Sequence, residues 1–207
     1  MRGFYFITDS GLSRAGNISD VKNALAAKVE VIQYRDKQAN TKQIYEQALQ
    51  IRKICRKAIF LVNDRLDIAL AVGADGLHLG GTDLPYRVAR NLLGRKRIIG
   101  LTVHSLKEAQ EAQRLGVDYL GVSPVFSTAT KPDAGEPIGC NLIRKIKKSI
   151  RLPVVAVGGI NLENASEVIR SGADSLCAIS AVVTKADVRK EIERFQDLFR
   201  DNCRNCL

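Results

Sequence analysis

Short continuous apolar runs set the rhythm of this chain. They fall near residues 4–8, 29–34, 59–62, 75–79, 97–101, 118–122, 153–157 and 174–178. A strand buried on both faces reads that way, because it has no solvent side on which to alternate. Between most of the runs lies a stretch of helical period. Three helix-to-strand junctions repeat one wording: VGADGLHL (72–79), LGVDYLGV (115–122) and SGADSLCA (171–178). Each places a glycine where a helix ends in the left-handed conformation, then an aspartate, then a strand. Eight strands alternating with helices, with no long linker, predict a single (β/α)8 TIM barrel over residues 1–200 and a frayed tail over 201–207. A doubly wound open sheet, the main rival, needs a glycine fingerprint after its first strand, and FITDSGLSRAGN has none.

A barrel of this kind carries its chemistry at the C-terminal ends of the strands, so the residues that follow each apolar run are the candidates. The second run ends in IQYRDK, where Gln33, Arg35 and Lys37 alternate with Tyr34 and Asp36 and therefore lean to one side. The third, in KAIFLVNDR, stops on Asn63 and Asp64, and Asp83 follows the fourth. The fifth supplies Thr102 and His104, and the long loop after the sixth holds Thr128, Ala129, Thr130 and Lys131. The seventh ends in Gly158-Gly159 ahead of Asn161, read as a helix N-cap, and the eighth in Ile179-Ser180. Glycines at the seventh tip and a hydroxyl at the eighth suit a phosphate, although a glycine pair also serves close packing alone. Asp64 and Asp83 could be plain salt-bridge partners of Arg35, Lys37 and Lys131. The surplus of cations favours the other use, in which two carboxylates hold Mg²⁺ and the cations neutralise a diphosphate.

Composition narrows the class without choosing the ligand. The 207 residues are 45% hydrophobic and 26% charged, no apolar run approaches membrane-spanning length, and the chain opens directly on a strand-like GFYFITDS. A cytoplasmic protein with no membrane partner is expected. A net charge of +10 points to anionic partners. The basic residues are scattered, the densest run LIRKIKKSIR reads as the solvated face of a helix, and aromatics are only 5%, so no nucleic-acid partner is expected. Five cysteines at irregular spacing are not a disulfide framework, and Cys203 and Cys206 belong to the tail. His78, between Leu77 and Leu79, reads as a packed barrel residue, and His104 as support for a neighbouring loop or a helix start.

FYFITD, IQYRDK, LVNDRLDIAL, GADGLHLGGTDLP, IIGLTVHS, DYLGVSPVFSTATKPDA, VVAVGGI and GADSLCAISAV follow one another over about residues 4 to 182. Together they resemble the thiamine phosphate synthase family. The resemblance implies an enzyme that couples 4-amino-2-methyl-5-hydroxymethylpyrimidine diphosphate with a thiazole phosphate, giving thiamine phosphate and diphosphate by a dissociative, Mg²⁺-assisted route. It implies that Gln33, Arg35, Lys37, Asn63, Thr102 and Lys131, with Tyr34 and Asp36 beside them, hold the pyrimidine diphosphate. Arg35, Lys37, Lys131 and Thr102 would be catalytic, Asp64 and Asp83 would bind Mg²⁺, and Thr128, Ala129, Thr130, Gly159, Ile179 and Ser180 would hold the thiazole phosphate. Gly81 stands where the family usually has glutamine, Thr102 where it has serine, Val103 where threonine often follows, and Ser127 where it often has proline. A thiazole tautomerase of the same fold is the nearest alternative, but such proteins tend to carry a histidine in the loop that here reads GVSPVFST. A noncatalytic phosphate sensor would not need the aspartate pair. The oligomeric state is left open, with a homodimer as the working assumption.

Overall fold

The computed structural model describes residues 1–130 and 135–204, with side chains as far as Asn202. Eight strands close in sequence order into a parallel barrel: β1 (Gly3–Ile7), β2 (Val31–Tyr34), β3 (Ile59–Asn63), β4 (Gly76–Leu79), β5 (Ile98–Val103), β6 (Tyr119–Val122), β7 (Val154–Val157) and β8 (Ser175–Cys177). Each of the eight apolar runs is one of these strands. The helices between them are α1 (Asn17–Ala26), α2 (Thr41–Ile54), α3 (Leu66–Ala71), α4 (Tyr86–Leu93), α5 (Leu106–Leu115), α6 (Gly139–Ser149) and α7 (Ala165–Arg170). After β8 come α8 (Ile179–Val183) and α9 (Val188–Arg204), so helix continues past the expected start of the tail. Cys206 and the other residues from 205 on lie outside the described part. No helix among the described residues is long and apolar enough to cross a membrane.

Strand alternation divides the core in two. Phe6, Ile32, Tyr34, Phe60, Leu77, Ile99 and Leu120 turn outward and are buried with helix residues such as Ala24, Ile44, Ala89 and Ile143. Tyr5, Ile7, Val31, Leu61, Tyr119, Val155 and Cys177 turn inward and form a separate cluster inside the barrel. Two strand glycines make room for large inward rings. A Cβ on Gly100 would stand 2.1 Å from Cζ of Tyr119, and one on Gly121 would stand 2.9 Å from Cε1 of His78.

The repeated junction has a structural explanation at the N-terminal end of the barrel. Gly73, Gly116 and Gly172 all take positive φ at helix ends, as their spacing predicts. The aspartate two residues later clasps the preceding strand. Asp75 donates its N–H to the Phe60 carbonyl (2.8 Å) and accepts the Phe60 N–H on Oδ2 (2.8 Å). Asp118 does the same to Ile99 (2.9 and 2.7 Å), and Asp174 to Val154 (3.0 and 2.8 Å). Each Oδ2 also takes a cation from a helix: Arg52 of α2 at 3.0 Å, Arg90 of α4 at 2.5 Å and Lys147 of α6 at 2.7 Å. A strand's first buried N–H has no ladder partner until the next strand begins, and the carboxylate supplies one.

Candidate active site

All eight strand tips contribute to one cavity at the C-terminal mouth of the barrel. Of the predicted residues, Gln33, Arg35, Lys37, Asn63, Thr102, Asp83, Thr128, Thr130, Gly159, Ile179 and Ser180 line it. Lys131 lies outside the described residues. Tyr34 is corrected: the period of two that sends Gln33 and Arg35 inward turns it outward, where it is 1% exposed in the core between barrel and helices. Asp36 is corrected too. Its carboxylate turns away from the cavity to accept from the Ser10 hydroxyl and from the N–H groups of Gln38 (2.9 Å) and Ala39 (3.0 Å), which folds the β2–α2 loop. Those bonds and the nearby Arg35 outweigh burial and hold its pKa below the ordinary carboxylate value. Ala129 is absent from the cavity wall, which its neighbours Thr128 and Thr130 reach on either side.

The cations at the β2 tip are held by carboxylates from neighbouring tips. Arg35 Nη1 meets Asp9 Oδ2 at 3.2 Å, and Thr8 Oγ1 accepts from the Arg35 N–H (2.9 Å) while donating to its carbonyl (3.0 Å). Asp9 and Thr8 were missed because FITDS reads as a strand running into a turn. Asp64 accepts from Lys37 Nζ and from Asn63 Nδ2 (2.9 Å), which places it just behind the wall. Its φ is +52°, a left-handed conformation that aspartate tolerates and most residues avoid. That backbone turns the chain sharply at the strand tip. Asp83 accepts from the Gly80 N–H at 2.7 Å. No group of three or more His, Cys, Asp or Glu that could hold a metal occurs among the described residues.

The other side of the mouth is built differently. Gly158 and Gly159 have φ of +102° and +62°, and a Cβ would stand 2.7 Å from Cα of Pro124 and 2.3 Å from the Ser127 carbonyl oxygen respectively. Packing against the β6–α6 loop therefore requires both glycines. Asn161 caps the turn that leads into α7, as expected: its N–H donates to Asn164 Oδ1 (2.9 Å) and its carbonyl accepts from the Ala165 N–H (3.0 Å), the reciprocal pattern of a capping box. Its Oδ1 accepts from the N–H groups of Glu163 (2.9 Å) and Asn164 (3.2 Å) in a turn that precedes α7. His104 supports that same β6–α6 loop, as expected, through a bond from Nδ1 to the Ser123 carbonyl, and its N–H donates to Glu108 at the start of α5.

The floor holds polar groups that the sequence reading passed over. Tyr5 and Tyr119, each 1% exposed, bond to one another, to Gln33 and to His78, which in turn reaches Thr102. Burial raises both phenols far above their ordinary range, so they remain protonated. Cys177 beside them is likewise raised by burial and is an inert thiol. Glycine at positions 100 and 121, inside strands, was the available signal for large inward rings.

Comparison with known proteins agrees with this geometry. A family model described as thiamine monophosphate synthase matches residues 4–182. A thiamine-phosphate synthase of Methanosarcina barkeri is 54% identical over 95% of this chain and 90% of its own length. One from Chloroflexus aurantiacus is 48% identical over 89% of this chain and 86% of its own length. The solved structure of a thiamine phosphate pyrophosphorylase from Pyrococcus furiosus, 43% identical, superposes with a TM-score of 0.88 over 96% of both chains.

Proposed function

The chain belongs to the thiamine monophosphate synthase family, and on that premise we propose that its mouth joins the pyrimidine diphosphate to the thiazole phosphate, releasing thiamine phosphate and diphosphate. One observation carries the reading: the mouth has two anion-binding sides facing each other across the barrel axis. Arg35 and Lys37 follow β2 and Asn63 ends β3, while Thr128, Thr130, Gly159 and Ser180 follow β6, β7 and β8. In a closed eight-stranded barrel, β2 lies opposite β6 and β3 opposite β7. A diphosphate on the first side and a monophosphate on the second bring two rings together over the floor.

Arg35 and Lys37 neutralise the departing diphosphate, which lowers the barrier to breaking the pyrimidine–oxygen bond. Asp9 and Thr8 hold Arg35 in place for this. The thiazole nitrogen then attacks the carbon that the diphosphate has left. It carries no proton, so the step needs no general base, in keeping with a floor of neutral phenols. The donor set also fits Mg²⁺, a hard cation often held by one or two carboxylates with substrate phosphates and water completing its shell. Asp64 and Asp83 would hold it, and when bound it would supply further charge neutralisation at the diphosphate. The ion pair between Lys37 and Asp64 is consistent with a carboxylate placed for a cation. We assign the enzyme to the cytoplasm, and a homodimer is supported by exposed Leu84, just ahead of α4, with Val88 and Leu92 exposed on α4 itself.

The test mixes the protein with both substrates and Mg²⁺, with and without EDTA. Equal amounts of thiamine phosphate and diphosphate, lost on chelation, are expected. Isomerisation of the thiazole alone would replace the reading with a tautomerase, and no turnover by folded protein would sink it.

A further inference from the structure

The floor of the mouth carries a chain of side-chain hydrogen bonds drawn from five strands. Gln33 Nε2 donates to the Tyr5 hydroxyl at 2.8 Å, and the Tyr5 and Tyr119 hydroxyls are 2.8 Å apart. Tyr119 then meets His78 Nδ1 at 2.8 Å, and His78 Nε2 meets Thr102 Oγ1 at 2.9 Å. A hydroxyl has one proton to give. The Tyr5 hydroxyl accepts from Gln33, and its own buried proton needs an acceptor, for which the bonded Tyr119 hydroxyl is the partner at hand, so that proton is assigned to Tyr119. Tyr119 in turn gives its own to His78 Nδ1. That nitrogen therefore accepts, the neutral imidazole carries its proton on Nε2, and Thr102 receives it. The Thr102 hydroxyl hydrogen is then available to a ligand in the cavity that Thr102 lines.

We propose that this relay, with Tyr119 as its hub, is a positioning device that fixes His78 in the Nε2–H tautomer and makes Thr102 a hydrogen-bond donor toward the pyrimidine ring. The identity of that ligand rests on the synthase reading above; the tautomer does not. Several features favour a relay with a fixed direction. Tyr5 and Tyr119 are each 1% exposed, so no bulk water competes for their protons. The Tyr119 ring fills the space that Gly100 leaves, and the His78 ring stacks on it with centroids 5.4 Å apart. A ring nitrogen of an aminopyrimidine is an acceptor and suits a donor at Thr102. A ligand that presented an N–H there would find one Thr102 lone pair taken by His78 and would have to compete for the other.

The measurement is the ¹⁵N NMR spectrum of a His104→Gln protein, in which His78 is the sole histidine. Protonated Nε2 and unprotonated Nδ1 are expected at neutral pH. Tyr119→Phe keeps the ring and removes only the hydroxyl. It should mix the tautomers and raise KM for the pyrimidine diphosphate about tenfold with a smaller change in kcat, as loss of one oriented hydrogen bond would. Tyr5→Phe, which also keeps its ring, should act in the same direction and serves if the first variant does not fold. Protonated Nδ1 in the parent, or tautomers unmoved in the variants, would overturn the relay even in an active enzyme. A shifted tautomer with unchanged KM would overturn its positioning role. The expected tautomer response in a protein without synthase turnover would leave the relay standing and remove only its proposed ligand.

Discussion

At the N-terminal end of the barrel, Asp75, Asp118 and Asp174 each hold a strand N–H and a helix cation; at the C-terminal end, Asp9 and Asp64 hold Arg35 and Lys37. The residue types are the same, and what they are attached to differs. Each N-terminal aspartate is bound through its own backbone to the strand it clasps, and its cation comes from a packed helix. The C-terminal pairs stand on loops that line a cavity, and the Lys37 side chain is half exposed. An ion pair alone thus does not distinguish scaffold from site. Repetition does: the clasp recurs with one wording in three αβ units, whereas each mouth residue occurs in a wording of its own.

The strongest way to break that contrast is to disable the mouth and look for damage to the fold. Asp64→Asn should lower kcat/KM by about 10²–10³-fold, roughly 3–4 kcal/mol of transition-state stabilisation. The melting temperature should barely move, since asparagine accepts the left-handed backbone that Asp64 adopts at φ +52°. Steady-state kinetics and a thermal melt on one preparation decide it. A large loss of stability would place Asp64 with the scaffold aspartates.

The reverse experiment is Asp118→Ala, which removes the clasp from β5 and leaves the fully buried Ile99 without its N–H acceptor. We expect a cost of about 2 kcal/mol, most of it from the stranded N–H because the Asp118 side chain is 43% exposed. In a domain of this size that is a fall of roughly 4–8 °C in melting temperature. Turnover per folded molecule should stay at the parent value. A kinetic defect without a stability defect would show that the N-terminal end is coupled to the mouth after all.

Legibility in the sequence follows the same division. The strands were readable because each is buried on both faces and so appears as a continuous apolar run. The β2 tip was readable because alternation there carries Gln33, Arg35 and Lys37 to one side, and the same alternation ought to have removed Tyr34. Asp36 misled because its partners, Ser10 and the Gln38 and Ala39 amides, are set by how a loop folds back and not by strand period. Tyr5 and Tyr119 were hidden because a tyrosine in an apolar run looks like core; only the hydroxyl network shows that the inner core also forms the floor of a site.

The smallest effect tests whether the mouth tolerates variation that the clasp does not. Gly81 lines the cavity, a Cβ there would meet nothing within 4 Å, and its φ is not in the positive range that favours glycine. The missing side chain is therefore open space beside Asp83, not a packing requirement like that at Gly159. Gly81→Gln, which restores the family's usual residue, should leave the melting temperature within about 1–2 °C, as surface changes of this kind do. It should change KM for the pyrimidine diphosphate only a few-fold, less than 1 kcal/mol, since one partly solvated hydrogen bond contributes about that much. A tenfold or larger gain in kcat/KM would mean that this chain lacks a contact the reaction depends on. A clear loss of stability would instead place the β4 tip among the packed elements of the scaffold.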